Sequence, residues 1–599
     1  MTNAVPAAAL FVPTLPTLPA AAAGREFEVS AGYLGARAAP DRGGPPRDNA
    51  HLYFMLHRAI HTPTQRKLIV WMNGGPGCSS FDGAMMEVGA WRFRDSQLVW
   101  TQRGGGWNEF ADVLYLDQPV GTGYSFVEND AYASSFEQVT KEFVFAMEQF
   151  VEIYPEYAYA RHGEHGPGGA VDVYLAGESY AGQFIPYFAD ALLKAKSSSP
   201  FMLRGIAIGN GYMDPVSQYG TEVETMVQQG IWKAGGAEVR TMEPVVAACR
   251  AAIAKDAVPR IGYPVCDDIL YRIMNITSQT IDGQQYCVNT YDLRRTDTFP
   301  ACGRNWPREM APVTSYLRRE DVRESLHIDP VKAEAWVECS PKVSRTLAAH
   351  AEKAASSVTL LPGLLEAGLP VLIFAGDKDL ICNALGLERM VHALRIHDEP
   401  VLNQTHAQSW RINGDLVGTW QSAKNLTYAK IANASHMVGY DRPFAAHDMM
   451  LRFMHVDMNL PANAAALNTS TVGLDARVLV PDYGKTRLGV HPAARENVSV
   501  AQEAAAAAPP PPPPLPTEHL AAYGDWAGNG FVIFLIAMAV LLCLALRRRS
   551  RSMTQSYQAV GQHVVAGLPS SERATAQEHA EESVVEMEPF MLGDEDDVK

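Results

Sequence analysis

Six short apolar runs recur along the chain: Lys67–Met72, Asp112–Leu116, Asp172–Leu175, Arg204–Ile208, Val371–Phe374 and Thr427–Ile431. Each ends at or beside a Gly, Asn or Asp, as strands do where a turn begins. Helix-like segments separate them, Phe136–Tyr154 and Phe184–Lys196 among them. Strands that alternate with helices pair in parallel, because the chain must cross back over the sheet between them. The expectation is an α/β body over residues 25–460, with a mostly parallel central sheet covered on both faces. The pattern changes between about Tyr212 and Glu338, a stretch that holds Cys249, Cys266, Cys287 and Cys302. That stretch is expected to be a mostly helical insertion, stapled by disulfides, over the strand ends.

The flanks differ from the body. Residues 1–24 carry no charge and combine the apolar Ala7–Val12 with the small residues Ala20–Gly24. They are expected to be a signal segment, although prolines break its apolar core and no basic start precedes it. Residues 461–526 drift to Ala, Asn, Ser and Pro, and Pro509–Pro514 favours an extended polyproline rod. This is either a stalk or a linker with no spacing role. Residues 527–546 are uncharged and reach about the ~20 residues that cross a bilayer. Arg547, Arg548, Arg549 and Arg551 follow, and basic flanks stay cytoplasmic. The tail, residues 547–599, holds ten acids against two basic residues from Ser552 to Lys599. The expected arrangement is a single-pass type I membrane protein with its body in the lumen. Six N-x-S/T triplets begin at Asn275, Asn403, Asn425, Asn433, Asn468 and Asn497, all before the apolar run, as glycosylation on a lumenal side requires.

The net charge of −16 argues against a nucleic-acid partner. Of eight cysteines, Cys543 lies inside the apolar run. The other seven predict three disulfides and one free thiol in an oxidising compartment. None forms a C-x-x-C pair, so no metal site and no cofactor are expected.

One segment carries chemistry. Val173–Gly182 runs from a strand through a tight turn into a helix beginning near Gln183, with Ser179 in the turn. A serine on such an elbow stands above the sheet in a strained conformation, and the turn closes only if its neighbours are small. Gly177 and Gly182 meet that need, and Ala181 stands where the usual short pattern has glycine. An acid follows at the end of a later strand, either Asp377 or Asp379, and His436 comes after the last run. Ser, then Asp, then His is the α/β-hydrolase order.

Further blocks make the sequence recognisable. Trp71–Ser80 (W-M-N-G-G-P-G-C-S-S), Gly177–Gly182 (G-E-S-Y-A-G), Gly376–Asn383 (G-D-K-D-L-I-C-N) and His436–Val438 resemble the signature blocks of the serine carboxypeptidases, as do Asp117–Ser125 and Ile208–Asp214. The resemblance spans about Arg25 to Asp457. With the span and acidic tail added, the chain resembles the fungal Kex-type pheromone-processing carboxypeptidases of the late Golgi. That likeness implies removal of C-terminal Lys and Arg from peptide or protein precursors after dibasic cleavage, on the membrane of the trans-Golgi network. Tyr557–Val560 resembles a tyrosine sorting signal.

The resemblance also assigns roles. It selects Asp379 as the acid beside Ser179 and His436. It gives the oxyanion hole to the backbone N–H groups of Gly75 and Tyr180, and the substrate's terminal carboxylate to Asn73, Glu87 and Glu178. Glutamates suit an anion only when protonated, which implies activity favoured by acidic pH. It implies a Cys78–Cys339 disulfide. The four insertion cysteines allow three pairings, of which Cys249–Cys266 with Cys287–Cys302 is the one adopted. Cys382 resembles a free thiol lining the site. The family's Pro after His-x-Val is replaced by Gly439. Acids are expected around the leaving residue, and Asp267 and Asp268 are among those in the insertion. Because a fold does not fix a function, an acyltransferase or a catalytically dead receptor on the same scaffold are the competing readings.

Overall fold

The computed structural model describes residues 6–20, 28–37, 50–61, 65–102, 104–158, 171–330, 336–402, 405–456 and 469–478, all within the unit Met1–Ala507. Fourteen strands build one sheet. In chain order they include β1 (Phe11–Val12), β2 (Val29–Gly35), β3 (Ala50–His57), β4 (Lys67–Met72), β5 (Asp112–Asp117), β6 (Asp172–Glu178) and β7 (Met202–Gly209). Then come β8 (Val371–Gly376), β9 (Gln408–Ile412), β10 (Asp415–Ala423), β11 (Leu426–Ile431), β12 (Thr469–Val472) and β13 (Asp475–Val478). The spatial order is β1-β2-β3-β5-β4-β6-β7-β8-β11-β10-β9-β12-β13, and a short strand, Phe126–Val127, pairs with β3.

The six apolar runs are the six parallel strands in the middle of this sheet, β5-β4-β6-β7-β8-β11. Their sequence is apolar on both faces because both faces are covered. On β4, Leu68, Val70 and Met72 enter one core while Ile69 and Trp71 enter the other. The first core is closed by helix α1 (Phe136–Ile153), through Phe143, Met147 and Phe150, and by helix α2 (Ala181–Ala195), through Phe184, Ile185 and Phe188. Helix α3 (Pro443–Phe453) covers the second with Met449, Met450 and Phe453. Both flanks of the sheet are antiparallel. The insertion has its own small core around Met226, Trp232, Cys249 and Cys266. It is mostly helical, with one three-stranded antiparallel sheet spanning Gln279–Thr298.

Two boundaries fall elsewhere than composition placed them. The segment expected as a signal is described over residues 6–20, and there it is built into the sheet. β1 pairs with β2, Val12 and Leu15 are buried, and the Tyr316 hydroxyl donates to the Pro16 carbonyl at 2.7 Å. The stretch expected as a stalk from residue 461 contains two strands of the sheet. β12 and β13 extend the sheet to Val478, because Ser470 is buried and anchors Arg452 through both its hydroxyl and its carbonyl. The apolar run at 527–546, the polyproline tract and the acidic tail lie outside the described residues. Among the described residues no helix is long and apolar enough to cross a membrane.

Candidate active site

β6 delivers Ser179 to the turn before α2, where its φ is +74°. This left-handed conformation is unfavourable for a residue with a side chain and persists only where the surroundings impose it. Here they do. The Ser179 N–H donates to the Gly209 carbonyl at 3.1 Å, and the Ser179 carbonyl accepts from the N–H groups of Gly182 and Tyr212, both at 2.9 Å. A Cβ on Gly177 would stand 2.2 Å from the Met72 oxygen, and one on Gly182 would stand 2.8 Å from the Tyr212 oxygen. Both glycines are therefore steric requirements. Ala181 is fully buried without conflict.

Beyond β8, the buried Asp379 accepts a hydrogen bond from His436 Nδ1 at 2.8 Å through Oδ2. The same oxygen accepts from Asn210 Nδ2 at 2.8 Å and from the Cys382 N–H at 3.3 Å, and Oδ1 accepts from the Ile381 N–H at 3.2 Å. Asp377 instead accepts from the Asn433 N–H at 2.7 Å, so the geometry brings Asp379 to the histidine. The His436 N–H donates to the Tyr291 carbonyl, and the Tyr291 ring meets the imidazole edge-on at 5.0 Å. Arg294, from the same loop of the insertion, donates to the Asn433 carbonyl and to Asp441, both at 2.8 Å. Asp441 in turn accepts from the Ser435 N–H. The insertion thus grips the histidine loop on both sides of His436. Asn210 falls in the Ile208–Asp214 block but had no role assigned there, and Arg294 did not stand out, since their partners are 169 and 147 residues away.

Ser179 and His436 open into one cleft of about 500 Å³, also lined by Asn73, Gly74, Gly75 and Glu178. A Cβ on Gly74 would lie 2.4 Å from the Tyr180 nitrogen and 2.9 Å from Ser179 Cβ. The glycine turn therefore lies directly against the elbow, which brings the Gly75 and Tyr180 segments together beside the nucleophile. Asn73 Nδ2 donates to Glu178 at 2.9 Å, while its Oδ1 accepts from Trp71 Nε1 at 2.7 Å and from the Gly83 N–H at 3.2 Å. Glu87 is buried against Glu178. Burial pushes the Glu87 carboxyl up to about 7. Burial and the neighbouring Glu87 raise Glu178 well above the ordinary carboxylate range. At mildly acidic pH these are protonated groups able to donate to an anion. Arg92, fully enclosed, donates to the carbonyls of Glu87 and Gly439. A Cβ on Gly439 would lie 2.9 Å from Val88 and 3.2 Å from the Glu87 Cβ, so this glycine lets the histidine loop rest on the Gly83–Glu87 turn.

The three disulfides are Cys78–Cys339, Cys249–Cys266 and Cys287–Cys302. Cys382 is free and buried beside Asp379, and burial first, then that acid, raise its thiol well above the usual range. It is a neutral thiol and a weak nucleophile. Asn275, Asn425 and Asn433 are exposed, whereas Asn403, Asn468 and Asn497 lie outside the described residues. Asp267 accepts from the Tyr219 hydroxyl and Asp268 pairs with Arg272, and neither lines the cleft. The cleft acids that composition did not single out are Asp82 and Glu338.

A parallel sheet, a strained serine above its strand ends, and a histidine held by a buried acid define a serine hydrolase of the α/β-hydrolase type. Residues 19–456 match the family model described as serine carboxypeptidase, and the chain belongs to that family. It is 35% identical to the pheromone-processing carboxypeptidase kex1 of Aspergillus oryzae, over 96% of this chain and 85% of that one. The pheromone-processing carboxypeptidase KEX1 of Cryptococcus gattii is 38% identical over 79% of this chain and 72% of its own. The crystal structure of Kex1Δp, a prohormone-processing carboxypeptidase from Saccharomyces cerevisiae, superimposes with a TM-score of 0.68 at 27% identity, covering 77% of this chain and 98% of that one.

Proposed function

We propose that this carboxypeptidase removes C-terminal Lys and Arg from precursor peptides in the secretory pathway, with Ser179 as nucleophile. His436 takes the Ser179 proton as the hydroxyl attacks the scissile carbonyl, then gives it to the departing amine. Asp379 orients the imidazole and stabilises its charged form. The N–H groups of Gly75 and Tyr180 receive the oxyanion. Asn73, Glu178 and Glu87 hold the terminal carboxylate of the substrate, which limits cleavage to the last bond. Water then releases the acyl-enzyme by the same route in reverse. The observation that carries this reading is the shared cleft: the nucleophile, its histidine and a protonatable carboxyl clamp line one opening. The preference for basic residues is supported by the names of the relatives. A lumenal body on the Golgi membrane is supported by the apolar run at 527–546 and the sequons before it.

The test uses full-length protein in detergent at mildly acidic pH. One peptide ends in Lys-Arg and another in Leu, with Ser179→Ala alongside. Stepwise loss of the basic residues, abolished in the variant, is the expected result. Faster loss of Leu would keep the enzyme class and remove the processing role.

A further inference from the structure

Arg92 is 4% exposed, and its guanidinium is shared among three stretches of backbone. Nη1 donates to the Gly439 carbonyl at 3.1 Å. Nη2 donates to the Glu87 carbonyl and, at 3.2 Å, to the Gly105 carbonyl. These acceptors come from separate parts of the chain. Glu87 ends the turn Gly83–Glu87, Gly105 lies in the loop before Trp107, and Gly439 follows His436 by three residues. A charge in such a place is costly unless it is well bound, and neutral carbonyls offset that cost less than a carboxylate would. Burial accordingly lowers the guanidinium to about 9, which leaves it charged at mildly acidic pH. The planar fork explains why an arginine stands here. Its nitrogens reach separate acceptors at fixed angles, which a lysine ammonium on a flexible stem does not do.

The segments that meet at Arg92 are packed to one spacing. Gly439 has no room for a Cβ against Val88 and Glu87. From the other side, the Trp107 N–H donates to the Val88 carbonyl at 2.9 Å, and Thr101 Oγ1 donates to the Gly89 carbonyl at 2.8 Å. Peptide cleavage makes that spacing matter. Glu87 is assigned to the substrate's terminal carboxylate while His436 serves the bond one residue away, and small misplacements between such groups are expensive in rate. We propose that Arg92 is a positioning residue for this reaction, locking the turn that carries Glu87 to the loop that carries His436. This rests on the proposed role of Glu87 in the carboxylate clamp. The Arg92 charge also acts on Glu87. Burial raises Glu87 most, and contacts with Glu178 and Asn73 and the charges of His436 and Arg92 oppose it. Asp82 faces Glu87 as well. Arg92 itself is faced by Glu87, Arg94, Tyr115 and Tyr440.

The full-length enzyme is compared with Arg92→Gln, Arg92→Met and Gly439→Ala, each checked by thermal unfolding. For one peptide with a free C-terminus, kcat and KM are measured from about pH 5 to about pH 9, a span that brackets the ionisation of a buried carboxyl. The wild-type KM is expected to climb as Glu87 ionises. Arg92→Gln and Arg92→Met both remove the charge that favours the ionised form, so the climb should begin at a pH higher by about half a unit or more. Their kcat should fall about tenfold or more as the histidine loop loosens. Gly439→Ala leaves the guanidinium in place and wedges the two segments apart, so kcat/KM should fall about tenfold with the climb at its wild-type pH. A general loss of stability would lower activity without moving the climb. Arg92 variants whose KM climbs at the wild-type pH overturn the role of Arg92 and leave the clamp standing. Gly439→Ala with the wild-type kcat/KM does the same. A wild-type KM that does not change with pH overturns the clamp itself.

Discussion

Among individual residues, the site depends on which carboxyls are protonated. Burial pushes the Glu87 carboxyl up to about 7, and burial followed by repulsion from Glu87 raises Glu178 well above the ordinary carboxylate range. In the proposed mechanism a protonated Glu87 donates to the substrate carboxylate below neutrality. As pH rises through about 7 it ionises and repels that carboxylate. KM is therefore expected to climb across neutrality in the wild type. Glu87→Gln keeps a donor at every pH, so its KM should stay nearly flat and be about tenfold or more below the wild type at alkaline pH. Matching KM profiles for the two enzymes would refute this role for Glu87. Ser179 was legible in the sequence because the elbow requires small neighbours, and His436 because it follows the last apolar run, whereas only the family resemblance chose Asp379 over Asp377. No local pattern marks Asp82 and Glu338. They line the same cleft, where the Cys78–Cys339 bridge joins positions 261 residues apart.

Among the elements, visibility in the sequence followed how unbroken the apolar run is. The six parallel strands were readable because burial on both faces leaves an unbroken apolar run. The antiparallel strand Val29–Gly35 was not, because it is largely buried yet mixes polar and small residues with the apolar ones, which breaks the run. The first strand was hidden further by the prolines around it, which an edge tolerates. Its contact with β2 is close: a Cβ on Gly32 would meet the Leu10 side chain at 2.6 Å. Val12 is 0% exposed, whereas Thr14 on the same segment faces solvent. Val12→Asp would bury an unpaired carboxylate, so it is expected to cost about 3 kcal/mol or more and to lower the unfolding temperature by several degrees. Thr14→Asp should change it little. Equal melting curves for the two variants would mean that this strand does not support the fold.

Across the whole molecule, buried acids set how stability responds to pH. Glu87, Glu222 and Glu338 are each pushed up to about 7, chiefly by burial, and burial also raises Asp82 and Glu178 well above the ordinary carboxylate range. In the unfolded chain such groups ionise near pH 4. Between those values the folded state holds protons that the unfolded state has lost, so stability falls as pH rises through this window. The buried His57 and His447 act in the opposite direction. Burial lowers them to about 3, so below the unfolded value of about 6.5 the unfolded state gains protons that the folded state refuses. The two effects oppose each other in mildly acidic solution. Above about pH 6.5 the histidines are neutral in both states and only the acids remain. The unfolding temperature is therefore expected to drop by several degrees between pH 6.5 and 8. Glu222 lies outside the cleft lining and accepts from the Gly220 N–H at 2.6 Å, a bond that a glutamine carbonyl can keep. Glu222→Gln should then flatten part of the decline while leaving the order of substrate preference intact. An unfolding temperature that holds or rises over this range would mean that these carboxyls are hydrated in solution, and that the cleft is not the dry, proton-holding site its chemistry requires.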